Sequence, residues 1–293
     1  MDKDIPEEFL HNTGNYYSAP CLIGHWQERL ATVESTGRNI KEKQKRGTLK
    51  IQKLRNLMTS LLQPEKLAMD TPLITFGAHY QLKNTDVPLY HDSVICHGLY
   101  ASVTVDKARL GFSQDFWESC TPTAAPYNRP CVRNTITIVS SDPRYDRSGL
   151  QVVYEECICI QFTSHNGGKY YLHYDSSPMS GGSQSISLKT EIGPYSIFRI
   201  RCLEKNKEKT PIPIDSKVIL VHMASNKMIA IDKSWVDTFY GPERFMSCRS
   251  GYDARRKLIS DCVWTIVGHP KHDVSIIYRA CLGENIPEEL LDY

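Results

Sequence analysis

The chain has 293 residues, a formal net charge of +2, and 41% hydrophobic side chains, values that are ordinary for a globular protein with one large core or two smaller ones. No apolar run approaches the ~20 residues that cross a bilayer, which excludes a conventional membrane-spanning helix. The first ten residues, MDKDIPEEFL, lack an apolar signal core, so we expect the protein in the cytoplasm or nucleus.

Residues 1–25 are predicted to form an extended arm. They contain Gly, Pro and the pair Tyr16 and Tyr17 without a clear apolar period. Aromatic residues of this kind are enriched at protein interfaces, as is Trp26, which follows the arm. The arm is therefore expected to be ordered by a partner.

Residues 26–68 carry helical patterns. An apolar stripe begins at Leu30 and Val33, and breaks are expected at Gly37 and Gly47. A second helix is predicted from four apolar residues with the spacing i, i+3, i+4, i+7, and it stops before Pro64. Those four residues are Leu54, Leu57, Met58 and Leu61.

Basic residues are concentrated in this helical segment. Between Arg38 and Lys66, nine basic residues stand against two acidic ones, which gives a net charge of +7 and leaves the rest of the chain mildly acidic. Such a segment favours an acidic partner surface, although a solvated helix face would carry the same charges. The candidate partner-binding residues are Tyr16, Tyr17, Trp26, Arg38, Lys41, Lys43, Lys45, Arg46, Lys50, Lys53 and Arg55.

From about Leu73 the period changes to the alternation of β-strands. Two strand–turn–strand units, Cys157–Asp175 and Lys217–Asp232, resemble each other, and Ala78–Asp92 is a weaker third copy. We interpret Asp175 and Asp232, which close their units, as turn residues.

Three such units predict a mainly β protein with a β-trefoil-like barrel, in which each unit contributes four strands. The barrel is expected over residues 69–270, with an irregular insertion near 110–133 and a C-terminal tail at 271–293.

Motifs for chemistry are not found. The ten cysteines include no Cys-x-x-Cys pair, and the phosphate-loop, dinucleotide and zinc-protease motifs are absent from the sequence. His165, His173 and His222 lie in or beside predicted strands, where structural histidines are commoner than metal ligands. We predict reduced core cysteines, no metal, no cofactor and no enzymatic activity.

Two binding functions remain to be weighed. Nucleic-acid binding would use the basic segment, but the sequence has no recognised base-reading fold and a pI near 8.0. A soluble ligand- or carbohydrate-binding trefoil is the alternative function. Sugar-binding trefoils usually carry Gln-x-Trp in each repeat, whereas Trp264 follows Val263 and Cys262 and is better interpreted as a core aromatic.

Several separated stretches, taken in order, resemble one family. The resemblance covers most of the chain from Cys21 to Pro270 and is loose between Leu89 and Arg133. The matching stretches are Ile23–Glu28, Lys45–Gln52, Leu61–Pro64, Asn134–Ile138, Pro211–His222, Thr238–Gly241 and Trp264–Pro270. Their order and approximate spacing resemble the cilia- and flagella-associated protein 161 family, whose members are microtubule inner proteins.

The resemblance implies a β-trefoil related to MIR domains. It also implies a structural role in the lumen of ciliary doublet microtubules, in the axoneme of motile cilia. Tubulin and neighbouring inner proteins are then the expected partners, and neither nucleic acid nor a membrane is expected. Because tubulin is strongly acidic overall, the basic segment has a natural partner there.

Overall fold

The computed structural model describes residues 22–68, 72–85, 98–105, 117, 120–178, 183–203 and 208–268. The chain divides into two compact units, with the boundary between Asn56 and Leu57. Tyr16, Tyr17 and the predicted tail from residue 271 lie outside the described residues.

In the described residues, two helices precede the strands. Helix α1 is Leu22–Lys45 and helix α2 is Lys50–Leu61. The predicted arm therefore gives way to helix at Leu22, and Gly37 lies within α1 instead of ending it. A single internal Gly costs a helix only about 1 kcal/mol, which the rest of a long helix can absorb. Gly47 does lie in a break, with a φ of 68° that favours glycine.

The described residues form a 12-stranded antiparallel sheet. Its strands are β1 (His79–Asn84), β2 (Leu99–Val105), β3 (Cys120–Ala125), β4 (Ile136–Ser140), β5 (Cys157–Thr163), β6 (Lys169–Pro178), β7 (Gln184–Lys189), β8 (Phe198–Cys202), β9 (Lys217–His222), β10 (Met228–Thr238), β11 (Gly241–Arg249) and β12 (Trp264–Val267). Strands β2, β8 and β9 contain several β-branched and aromatic residues, which pack well on a pleated, buried surface.

The pairing of these strands defines a β-trefoil. Strands β1, β12, β9, β8, β5 and β4 form a closed barrel, because β4 pairs with both β1 and β5. The barrel closes between the first and last strands, where Gln81 lies opposite Val267. The remaining strands form the hairpins β2–β3, β6–β7 and β10–β11, which are joined by β11–β3 and β11–β7 pairing. The prediction of a trefoil-like barrel is confirmed.

Each trefoil unit contains four consecutive strands, two in the barrel and two in a hairpin. The sequence repeats Cys157–Asp175 and Lys217–Asp232 correspond to the first two strands of the second and third units. The weaker copy begins with β1, and its residues 86–92 lie outside the description. The repeats are therefore architectural.

Two local predictions were wrong. Strand β3 lies inside the predicted irregular insertion and pairs with β2 from Cys120 to Ala125. Its sequence, CTPTAA, has little intrinsic strand preference, and pairing with β2 and β11 decides its conformation. Asp175 and Asp232 lie within β6 and β10 instead of turns, because both strands continue past an irregularity in register. Asp232 accepts a 2.6 Å hydrogen bond from Ser247 Oγ on β11.

Trp264 belongs to the core, as predicted. It is fully buried in β12, and its indole Nε1–H donates a 3.0 Å hydrogen bond to the carbonyl of Ile229. The seven described cysteines are free, and five of them are buried. Burial raises the pKa of the Cys159 thiol to about 12 and that of Cys262 to about 11, so these two thiols stay protonated at neutral pH.

Candidate interaction surface

The predicted basic residues of the helical segment all face solvent. Trp26, on the first turns of α1, is 64% exposed. The other exposed members of the predicted set are Arg38, Lys41, Lys43, Lys45, Arg46, Lys50, Lys53 and Arg55. We call the side chains from Arg38 to Arg55 the basic surface. Exposure is compatible with partner binding and with simple solvation, so their binding role stays a prediction.

Ion pairs join charged residues one helical turn apart along α1 and at its end. Arg38 approaches Glu34 to 3.6 Å, and Arg46 approaches Glu42 to 3.2 Å, each one helical turn apart. Exposed pairs of this kind contribute only a few tenths of a kcal/mol. From Arg38 to Arg55 the sequence has eight basic residues and one acidic residue, so a net charge of +7 remains on the basic surface.

The turn between α1 and α2 is held by side-chain hydrogen bonds. Gln52 Nε2 donates to the carbonyl of Gln44 at 3.1 Å, and Gln52 Oε1 accepts from the backbone N–H of Leu49 at 3.3 Å. Thr48 Oγ1 donates to the carbonyl of Lys43 at 3.2 Å. These bonds keep the end of α1 beside the start of α2, so the basic residues of both ends share one region.

A row of apolar side chains also lies on α1. Leu30 is 44% exposed, Val33 68% and Ile40 50%, and together with Trp26 they follow a spacing of four, three and seven residues. Gly37 fills the intervening position of this row. We call these five residues the α1 stripe. Sequence reasoning found only its start, because Gly37 was interpreted as a helix break.

The trefoil contains an aromatic cluster that sequence reasoning missed. The Tyr174 ring stacks on His222 with 4.3 Å between centroids, and Tyr195 lies 6.2 Å from His222 and 5.7 Å from His173. His222 Nδ1 accepts the backbone N–H of Ser225 at 3.2 Å. Burial lowers the pKa of both histidines. The neutral, packed rings are typical of structural histidines.

In the described ranges, no group of three or more His, Cys, Asp or Glu side chains is placed to hold a metal ion. A cavity of about 10 Å³ has room for roughly one water molecule. It is lined by Glu65, His79, Val132, Thr135, Thr137 and Thr163. Neither described helix has the length and apolar content needed to span a bilayer.

Comparison with known proteins identifies the family. Residues 53–196 and 195–269 match a domain described as the cilia- and flagella-associated protein 161-like domain. The chain belongs to the cilia- and flagella-associated protein 161 family. This confirms the resemblance inferred from the sequence and associates the chain with cilia and flagella.

Curated relatives share the family name across vertebrates. Cilia- and flagella-associated protein 161 of Mus musculus is 23% identical over 273 residues, covering 88% of this chain and 90% of the mouse protein. The Bos taurus protein of that name is 24% identical over 275 residues, covering 89% of this chain and 85% of its own length. The matched domain of the family begins at Lys53, so α1 lies outside it, whereas these whole-chain similarities extend further.

Two solved structures match this chain at TM-scores just under 0.5. The SDF2-like protein from Arabidopsis thaliana has a TM-score of 0.48 and 15% identity, over 69% of this chain and 99% of that one. A Caenorhabditis elegans protein of unknown function has a TM-score of 0.49 and 13% identity, with the same two coverages. The trefoil assignment for this member of the cilia- and flagella-associated protein 161 family depends on its strand pairing and not on these likenesses.

Proposed function

We propose that this chain is a structural, non-enzymatic protein of motile cilia that binds the luminal wall of doublet microtubules and stabilises the axoneme. The observation that carries the proposal is an exposed basic surface in a member of a cilia- and flagella-associated family. Tubulin is strongly acidic overall, and opposite charges guide and strengthen association between protein surfaces. Neighbouring microtubule inner proteins are further proposed partners.

The trefoil suits such a role. Its six barrel strands are closed into a ring, so they present no unpaired strand edge to solvent. Two buried groups of opposite charge, Arg133 and Glu243, join its first and third units. A closed and internally connected domain is a rigid spacer of the kind that a repeating lattice requires.

The basic surface can be tested by charge reversal. We would replace Lys41, Lys43, Lys45 and Arg46 by Glu in a tagged copy expressed in ciliated cells, and follow its release from isolated axonemes as salt is raised. The variant is expected to reach cilia less and to be extracted at lower salt, because charge pairing at exposed sites is screened within about 10 Å at 0.1 M salt. The fold should persist, since all four side chains are exposed.

A matched control carries the same change in net charge on the trefoil. Lys209, Lys233, Arg255 and Lys257 are exposed and are replaced by Glu in the same way. This control should be retained like the wild-type chain. Equal retention of both variants in salt-washed axonemes would contradict the electrostatic part of the proposal, and exclusion of the wild-type chain from cilia would contradict all of it.

A further inference from the structure

The α1 stripe has the spacing of a coiled-coil seam. Trp26, Leu30, Val33, Gly37 and Ile40 alternate steps of four and three residues, which places them at successive d and a positions of a heptad repeat. The four apolar members are between 44% and 68% exposed. A helix gains most of its stability by burying such a face, so α1 has a surface that remains to be covered.

The middle of the stripe contains a hole. A Cβ atom built at Gly37 would meet no heavy atom within 4 Å, so the space above this residue is open. In knobs-into-holes packing, a large side chain of a facing helix inserts among four residues of its partner. Gly37 therefore offers room for a bulky apolar side chain between Val33 and Ile40.

The charges beside the stripe select the partner. In the heptad frame, Lys41 and Lys43 occupy the e and g positions that flank the seam around Ile40, and both are exposed. Residues at e and g face the corresponding residues of the partner helix and set partner choice by charge. The charged flanking positions carry three basic residues, Arg29, Lys41 and Lys43, against one acidic residue, Glu34, so they favour a partner helix with acidic flanks.

We infer that the α1 stripe binds an amphipathic helix of another protein that carries apolar residues at heptad spacing and acidic residues on its flanks. This inference goes beyond the proposed function, because it concerns the apolar face of α1 and does not depend on contact with tubulin.

A second copy of the chain fits the stripe less well. Parallel pairing places Gly37 against Gly37 and brings two basic ends together. Antiparallel pairing that sets Leu30 against Ile40 places Arg29 near Lys43 and Glu34 near Glu34, and leaves Trp26 against Gln44. Antiparallel pairing that sets Trp26 against Gly37 leaves Lys41 and Lys43 facing no acidic residue. Like charges at facing positions destabilise a coiled coil.

A membrane surface also fits less well. Interfacial helices bury a broad apolar face in the lipid headgroup region. The α1 stripe is one residue wide, and Arg29, Glu34, Lys41 and Lys43 flank it. This narrow seam suits a facing helix.

A designed peptide provides a defined probe. It would have four heptads with Leu at a and d and Glu at e and g, and it would be titrated into the full-length chain by calorimetry and circular dichroism. One-to-one binding with an increase in helicity is expected. A peptide with Lys at e and g, and a scrambled peptide of the acidic composition, should bind at least about tenfold more weakly.

Two variants separate the stripe from general charge attraction. The double variant Leu30→Ser with Val33→Ser keeps every charge. Its affinity for the acidic peptide should fall by about tenfold or more, because central apolar contacts dominate such interfaces. Ile51→Ser is the matched control, since Ile51 is 72% exposed on α2 and off the stripe, and its affinity should equal that of the wild-type chain. Near-ultraviolet circular dichroism reports whether the trefoil stays folded.

Three results would overturn the inference. The first is equal binding of the scrambled and the acidic peptides. The second is a dimer of the wild-type chain, measured by sedimentation, that the Leu30→Ser and Val33→Ser changes dissolve. The third is stripe-dependent binding to phosphatidylserine-containing vesicles without stripe-dependent binding to the peptide. The stripe variant retains the basic surface, so it can lose peptide binding and still be retained in salt-washed axonemes. Because Lys41 and Lys43 belong to both surfaces, only the serine variants test the stripe.

Discussion

Arg133 and Glu243 form a fully buried ion pair across 110 residues of sequence. Arg133 Nη2 lies 2.5 Å from Glu243 Oε1, and both side chains are 1% exposed. Arg133 Nε donates to the carbonyl of Val103 at 3.0 Å, and Thr123 Oγ1 donates to Glu243 Oε2 at 2.6 Å. The guanidinium also lies 3.9 Å from the centre of the Tyr240 ring. The pair thus connects the first and third trefoil units with its main polar groups satisfied.

Removing one member of this pair should be costly. We expect Glu243→Ala to lower the free energy of unfolding by about 3–5 kcal/mol, because it leaves a buried guanidinium without its counter-charge. Urea unfolding of the full-length chain measures the change. The double variant Arg133→Met with Glu243→Leu should be more stable than Glu243→Ala, since it removes both charges together. A loss below about 1 kcal/mol for Glu243→Ala would show that the pair is hydrated in solution.

The same substitution at two tryptophans should change the free energy of unfolding by different amounts. Trp264→Phe removes a buried indole N–H that donates to Ile229 and leaves a small void, so it should cost about 1–3 kcal/mol of stability. Trp26→Phe changes a side chain that is 64% exposed and should stay within about 0.5 kcal/mol of the wild type. Denaturant midpoints measure both, and equal midpoints for the two variants would contradict the burial of Trp264.

Alanine substitutions at two glycines distinguish the stability cost of a steric clash from that of backbone strain. Gly98 has a φ of 125°, and a Cβ there would lie 2.5 Å from the carbonyl oxygen of Asn84. Gly149 has a φ of 81° with open space around its Cβ position. We expect Gly149→Ala to cost about 1–2 kcal/mol from strain alone, and Gly98→Ala about 3 kcal/mol or more. Thermal unfolding of both variants tests the difference, and similar losses would show that β1 and β2 can separate locally without cost.

Stability should fall in mild acid. Burial lowers the pKa of His222 and of His173 below the ordinary value of 6.5. Below pH 6.5 the unfolded chain therefore binds more protons than the folded chain, so the free energy of unfolding decreases as pH falls towards the folded pKa values. Denaturant unfolding between about pH 7.5 and about pH 5, a range that spans the ordinary histidine pKa, measures this slope.

Substitution identifies the groups responsible. The double variant His173→Gln with His222→Gln should show a flatter dependence on pH, whatever its absolute stability. His165→Gln changes an exposed histidine in the β5–β6 turn and should keep the wild-type slope. An unchanged slope in the double variant would assign the dependence to other groups.

The sequence predicts a structural feature correctly when residues adjacent in the chain determine that feature. The alternation in Cys157–Asp175 and Lys217–Asp232 is local, and it predicted β5, β6, β9 and the start of β10 correctly. Strand β3 was missed because CTPTAA depends on partners distant in sequence. Burial of Arg133 against Glu243 could not be predicted, since an isolated charge in a sequence is normally a surface residue.

The helical segment illustrates the same limit. The exposure of Lys41, Lys43 and Lys45 follows from charge and period, which are local properties. The length of the α1 stripe was missed, because Gly37 is a weak helix former and was interpreted as a stop. Tolerance of one glycine depends on the whole helix and not on that position.

The pairing of β1 with β12 has a consequence for synthesis of the chain. Strand β1 forms early in the chain, but its partner β12 ends at Val267. The barrel can therefore close only when nearly the whole trefoil has left the ribosome. Until then β1 and β9 each lack a partner on one side, and such edges recruit other chains. A nascent or prematurely terminated chain that stops before Trp264 thus has an open barrel with exposed strand edges at β1 and β9. We expect quality-control factors to bind the protein at these edges.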